Sequence, residues 1–185
     1  LKTYPLPGWQ IILGELLATA LNTNAMLWRT GPAAAELEQR TTDWIRQLIG
    51  LPAGWFGMIT DLASTSTLYA LAAAREADPA LDIRRKGLAG RDLPALRVYC
   101  SDQAHTSIHK AAMTLGIGSD NVVNVESDEE FRMRPDALQR AIAADRAAGY
   151  RPIAVVGVLG TTSTTSVDPL ATIADVCERE RLWYH

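Results

Sequence analysis

Short apolar strands alternate with helices from residue 57 to the end of the chain, and this alternation most restricts the possible fold. The strongest strand runs from Pro152 to Leu159 and is apolar throughout, as expected at the centre of a parallel sheet. Further strands are predicted at 57–60, 96–100, 121–125 and from Leu182 onward. Helices are predicted at Ser64–Ala77, at His105–Leu115, after Arg134-Pro135 and after Asp168-Pro169, where Asp168 would be the cap. The sequence therefore predicts an α/β fold, with a mostly parallel sheet between two layers of helices.

Two helices are predicted ahead of the first strand. Apolar residues recur at helical spacing from Gln10 to Trp28, and Leu27 and Trp28 are expected to finish a buried helix. Gly31-Pro32 begins a second helix, which Gly50 ends. We expect residues 1–50 to form a helical packing or interface segment and residues 51–185 to form part of a larger α/β domain.

The composition is that of a soluble globular protein, since 48% of the 185 residues are hydrophobic. A formal net charge of -3 gives no electrostatic reason to expect nucleic acid or a membrane surface as a partner. Cys100 and Cys177 are isolated, which favours reduced core thiols and offers no metal-ligand spacing. The chain begins at Leu1 without an initiator methionine or a recognisable leader, as an interior start would, and we expect a cytoplasmic protein.

The segment Ser101-Asp102-Gln103-Ala104-His105 lies where a buried strand is predicted to lead into a helix. In parallel α/β sheets, ligands bind outside the carboxyl ends of the strands, so His105 faces a candidate site. A neutral imidazole can lie flat on an aromatic ligand and can hold or relay a proton. The alternative is a solvent-facing histidine in the first helical turn, and His109 is expected to be structural.

Two further strand exits carry small and hydroxylated residues. Ala63-Ser64 is followed by three more hydroxyl residues, and free backbone N–H groups at a helix start favour an anion, although a plain helix cap is the alternative. Gly160 in Leu159–Thr165 would let the backbone approach a ligand whose polar groups the following threonines could bind. A polar turn leading to Asp168 explains that composition almost as well.

With all three motifs in this order, the sequence resembles the group II pyridoxal 5'-phosphate (PLP) decarboxylases, nearest the aromatic-L-amino-acid decarboxylases. The resemblance implies the large PLP-binding domain of fold type I, a carboxy-lyase activity on an amino acid substrate, and a homodimer. It implies that Ala63 and Ser64 hold the PLP phosphate, that His105 stacks on the cofactor ring and is catalytic, and that Thr162 lies beside the cofactor. No metal is implied.

The sequence departs from the family pattern in two places. Asp61-Leu62 stands where relatives tend to have glycine or threonine and then a small or hydroxylated residue, and a carboxylate there would repel phosphate. The second departure is the missing Schiff-base lysine, because none of Lys2, Lys86 and Lys110 lies in a matching motif. The resemblance also places the family's cofactor-binding aspartate just beyond His185. We therefore expect a fragment that is inactive alone.

Three alternatives to an aromatic amino acid decarboxylase stay open at this point. Leu115–Val122 is similar to the glutamate decarboxylase branch, whereas Ser101–His105 favours the aromatic branch. Another fold type I PLP reaction, such as transamination, would use the same cofactor site. A truncated non-catalytic subunit would account for the missing lysine.

Overall fold

Two units make up the chain in the computed structural model, Leu1–Ile59 and Thr60–His185. The structure describes residues 8–22 and 24–185, and Lys2 lies outside the described residues. In that part of the chain, no helix combines the length and the apolar character needed to cross a membrane.

The first unit contains helices α1 (Gly8–Ala20) and α2 (Pro32–Leu48). Helix α2 begins at the predicted proline. Helix α1 ends well short of Trp28, because Asn22 adopts the left-handed conformation with φ 48° and breaks the helical path. Leu27 and Trp28 lie in turns and are 55% and 60% exposed, so the predicted buried helix end is wrong.

The strand predicted at 57–60 does not form. The Ile59 N–H donates to the Glu38 Oε1 on α2 at 2.7 Å. Gly57 lies against the same helix, and a Cβ added to it would lie 2.6 Å from the Thr42 Cβ. A short apolar run can become a strand only beside another strand, whereas this one is held by side chains of a helix.

The second unit contains four parallel strands, as the alternating pattern predicts. They are β1 (Leu96–Ser101), β2 (Val122–Val125), β3 (Arg151–Val156) and β4 (Trp183–Tyr184), in the order β2-β1-β3-β4. β3 ends at Val156, earlier than the predicted Leu159. The Val158 N–H bonds instead to the side chain of Asp168.

Helices cover both faces of this sheet. They are α3 (Ala63–Glu76), the short α4 (Ile83–Lys86), α5 (Ser107–Thr114), α6 (Pro135–Ala147) and α7 (Leu170–Glu180). Val98 of β1 packs in a core with α3 and α5, and its neighbour Tyr99 packs on the opposite face with α6 and α7. The predicted three-layer α/β architecture is therefore confirmed. Burial of an aliphatic side chain such as that of Val98 contributes about 1.5–3 kcal/mol, and the sum of such contributions holds the layers together.

Asp168 does not cap α7, contrary to the prediction, because Pro169 occupies the N-cap position. Its carboxylate is buried. Oδ1 accepts the Met133 N–H at 2.7 Å and Oδ2 accepts the Val158 N–H at 2.8 Å. Asp168 thus joins the segment before α6 to the segment after β3, which are two loops at the carboxyl edge of the sheet.

Gly157, directly after β3, has no room for a side chain. A Cβ would lie 2.7 Å from the Tyr184 Oη and 3.0 Å from the Leu170 Cδ2, and the Tyr184 hydroxyl is held by donating to the Leu170 carbonyl. We expect Gly157→Ala to lower the free energy of unfolding by about 1–3 kcal/mol in urea titrations. Gly54→Ala, at a site with nothing within 4 Å, is the control.

The Tyr184→Phe background tests the cause of this effect. Phenylalanine lacks the oxygen that the new methyl group would meet, so Gly157→Ala should cost less in this background than in the wild type. Equal losses in the two backgrounds would contradict the steric explanation.

Candidate functional site

The direction in which the chain adds strands to the sheet reverses between β1 and β3. The chain adds β2 on one side of β1 and then returns to add β3 on the other side. In open α/β sheets, such a switch point leaves a crevice at the carboxyl ends of the two strands, which is where ligands bind. The segment after β1 carries His105 and the segment after β3 carries Thr162, so the two predicted residues follow the two strands that flank the crevice.

His105 is exposed and precedes α5, which begins at Ser107, so it is not part of the helix as predicted. A tight turn positions it. The hydroxyl of the buried Ser101 accepts the Gln103 N–H at 3.1 Å, and the Ser101 carbonyl accepts the Ala104 N–H at 3.0 Å. The His105 Nδ1 accepts the Ser107 N–H at 3.2 Å. The ring is therefore fixed by the backbone and remains open to a ligand.

The start of α3 leaves backbone donors free. Leu62 is the N-cap residue, and its carbonyl accepts the N–H groups of Thr65 and Ser66. In the described part of the chain, no acceptor pairs with the N–H of Ala63 or of Ser64. These two donors and the exposed Ser64 hydroxyl lie at the positive end of the helix dipole, where an anion is favoured.

Asp61, the residue expected to repel an anion here, is exposed and bonds within its own turn. Its Oδ1 accepts the Leu62 N–H at 3.0 Å. Its negative charge nevertheless remains next to the start of α3.

The loop after β3 separates two neighbouring threonines. Thr161 is 3% exposed, and its hydroxyl bonds to the Thr164 hydroxyl and accepts the Ser166 N–H. Thr162 is exposed and makes no hydrogen bond among the described residues. Thr161 therefore holds the loop in shape, while Thr162 is free to contact a ligand. The sequence pattern of repeated hydroxyl residues did not reveal this division.

The structure brings the start of α3 next to the start of α5. Ser64 and Ser107 line one cleft of about 180 Å³ between the two helices, together with the exposed Lys110. No two of the four predicted site residues (Ala63, Ser64, His105 and Thr162) hydrogen-bond to each other.

His109 is structural, as expected. Its Nδ1 bonds to the Ser119 hydroxyl and its Nε2 to the Asn124 Oδ1, both at 3.2 Å, which ties α5 to β2.

The two cysteines are buried and unpaired, as predicted. Burial raises the pKa of Cys100 to about 12, helped by the charges of Asp168 and Asp102, and burial raises the pKa of Cys177 to about 11. Both thiols are thus protonated at neutral pH and are poor nucleophiles. Among the described residues, no cluster of three or more His, Cys, Asp or Glu side chains could hold a metal ion.

Comparison with known proteins finds similarity along nearly the whole chain. Residues 2–185 match the family described as the pyridoxal-dependent decarboxylase conserved domain. The chain is 36% identical to phenylacetaldehyde synthase of Arabidopsis thaliana, over 94% of this chain and 36% of that protein. It is 37% identical to aromatic-L-amino-acid decarboxylase of Sus scrofa, over 96% of this chain and 38% of that protein.

A solved structure is also similar to nearly the whole chain. The crystal structure of mouse CSAD superposes with a TM-score of 0.84 at 36% identity, covering 94% of this chain and 36% of that one. The chain therefore spans 36% to 38% of the length of these three proteins.

Proposed function

The chain belongs to the pyridoxal-dependent decarboxylase family, and from this premise we propose that the protein decarboxylates an aromatic L-amino acid with PLP as its cofactor. The observation that carries the proposal is the position of His105. It is exposed beyond β1 at the switch point of the sheet, with its ring held by the Ser107 amide. The chain spans only part of the length of its relatives. The proposal therefore concerns the activity of the protein at its native length.

The residues present fit the cofactor. The free N–H groups of Ala63 and Ser64, with the Ser64 hydroxyl, would hold the phosphate at the start of α3. His105 would stack on the ring and exclude water from one of its faces, and the free hydroxyl of Thr162 would bind a polar group of the cofactor. When bound, PLP supplies an electron-withdrawing ring that stabilises the negative charge left on Cα as CO₂ departs.

Asp61 should weaken phosphate binding, because its charge adjoins the two free N–H groups. We expect Asp61→Asn to lower the dissociation constant of PLP by about threefold to tenfold, since an exposed charge close to another contributes on the order of 1 kcal/mol. The measurement is a PLP titration followed by absorbance. Asp92→Asn, at a carboxylate in the loop before β1, is the matched control. An unchanged affinity in Asp61→Asn would place the phosphate elsewhere.

The proposed function is tested on the protein at its native length. The protein is incubated with PLP, reduced with borohydride and weighed intact, and then assayed with L-tryptophan, L-tyrosine, L-histidine and L-glutamate. One phosphopyridoxyl adduct and release of CO₂ from the aromatic substrates are expected. Both amine and aldehyde products are measured, because one relative is named as an aldehyde synthase.

Other outcomes of this experiment would favour one of the alternative functions. Preference for L-glutamate would favour the glutamate branch, and amino transfer without CO₂ would favour another fold type I reaction. No adduct and no turnover would favour a non-catalytic subunit. As parts of the same proposal, a cytoplasmic homodimer, an interface role for residues 1–50 and a PLP-binding role for residues 51–185 are predicted from the sequence.

A further inference from the structure

The buried hydroxyl at the start of α5 has no hydrogen-bond partner in the described part of the chain. It belongs to Ser107, which is 8% exposed and lines the cleft between α3 and α5. The Ser107 N–H donates to the His105 Nδ1, so the amide of this residue is paired while its hydroxyl is not. Buried hydroxyl groups are nearly always paired, because losing water without gaining another partner is unfavourable. The cleft therefore offers a donor that a ligand can use.

The same wall of the cleft carries a positive charge. Lys110 lies three positions after Ser107, on the same face of α5, and it also lines the cleft. Its ammonium forms no ion pair with any residue in the ranges 8–22 and 24–185, whereas the Lys86 Nζ lies 3.4 Å from an Asp82 oxygen. An unpaired cation on the wall of a cleft attracts anions. Ser107 and Lys110 thus provide a hydrogen-bond donor and a charge for the same ligand.

The opposite wall is the start of α3. The Ser64 hydroxyl lines it, and the N–H groups of Ala63 and Ser64 have no acceptor among the residues that the structure describes. Two helix starts therefore supply N–H groups, two hydroxyls and one ammonium. A carboxylate has two oxygens and one charge, whereas a phosphate monoester has three terminal oxygens and nearly two charges at neutral pH. This set of donors fits a phosphate.

We propose that Ser107 and Lys110 form the second wall of the phosphate site. The Ser107 hydroxyl donates a hydrogen bond to the phosphate, and the Lys110 ammonium neutralises part of its charge. Lys110 also offsets the repulsion from Asp61, which lies next to the start of α3. That this phosphate is the one of PLP rests on the proposed function, whereas the anion site rests only on the residues of the cleft.

Comparison of PLP with pyridoxal, which lacks the phosphate, tests the two residues on protein of native length. Absorbance titrations give the dissociation constants for the wild type, Lys110→Gln and Ser107→Ala. We expect each variant to bind PLP about threefold to tenfold more weakly and to bind pyridoxal as the wild type does. Lys86→Gln, at an exposed lysine on α4, is the matched control and should change neither constant. Unchanged PLP binding in either variant, or equal losses for the two ligands, would overturn the proposal.

Salt distinguishes the charge of Lys110 from the hydrogen bond of Ser107. The Debye length falls from about 30 Å at about 0.01 M salt to about 3 Å at about 1 M, so the effect of Lys110→Gln should shrink as salt is added. The effect of Ser107→Ala should persist, because a hydrogen bond in a buried position is screened much less. Lys110→Arg keeps the charge and should bind PLP more tightly than Lys110→Gln. The same salt dependence in both variants, or no recovery in Lys110→Arg, would contradict the role of the charge.

Inorganic phosphate separates this proposal from the proposed function. It is titrated into cofactor-free protein of native length, and binding is followed by calorimetry in the wild type and in Lys110→Gln. We expect the wild type to bind phosphate about threefold to tenfold more tightly than the variant. If this holds and the wild type binds no PLP, the proposed function fails alone. If phosphate does not bind, or binds both proteins equally, the anion site fails whether or not PLP binds.

Discussion

Asp168→Ala should lower the free energy of unfolding by about 3–5 kcal/mol. The carboxylate is 2% exposed and accepts the N–H groups of Met133 and Val158, at 2.7 and 2.8 Å. Alanine would leave both donors without their charged acceptor, and each such hydrogen bond contributes about 1.5–3 kcal/mol. Denaturant unfolding followed by circular dichroism measures the loss.

Two variants separate this contribution from the general effect of removing an acid. Asp175→Ala changes an exposed aspartate on α7 and should alter stability by less than about 0.5 kcal/mol. Asp168→Asn keeps one oxygen acceptor and should lie between the wild type and Asp168→Ala. If Asp168→Ala is as mild as Asp175→Ala, the two backbone contacts do not hold the loops together.

The predictable part of the fold is the part governed by local pattern. A strand buried on both faces must be apolar along its length, so β1 and β3 could be recognised without knowledge of their neighbours. The run at 57–60 has a similar composition but forms no strand, because Ile59 bonds to Glu38, 21 positions earlier in the chain. No window of sequence contains that partner. The end of α1 is different, since it depends on the left-handed backbone of Asn22, which a helical pattern does not reveal.

The same distinction applies to the candidate site. Parallel strands end at one edge of a sheet, so the sequence alone could predict that His105 and Thr162 lie at the same edge. The role of Asp168 could not be predicted, because one partner, Met133, is 35 positions away. Thr161 and Thr162 have the same side chain in the same tract, and only the fold of the loop buries one and exposes the other.

His105→Ala should lower kcat/KM for decarboxylation by about a hundredfold to ten-thousandfold, because the variant loses the imidazole that we propose to stack on the cofactor ring. Stability should change by no more than about 1 kcal/mol, since the side chain is exposed and its hydrogen bond to the Ser107 N–H resembles a helix cap. Steady-state kinetics and a parallel denaturant titration, on protein of native length, measure the two effects.

His109→Ala is the matched control, because it removes an imidazole from the same helix region without touching the crevice. His109 bonds to Ser119 and Asn124, so its loss should weaken the attachment of α5 to β2 and lower stability, while most of the activity remains. The two variants should thus show opposite patterns, with activity lost at His105 and stability lost at His109. If His105→Ala decarboxylates as well as the wild type, the histidine at the switch point has no part in the chemistry, and its position at the carboxyl edge reflects only how α5 begins.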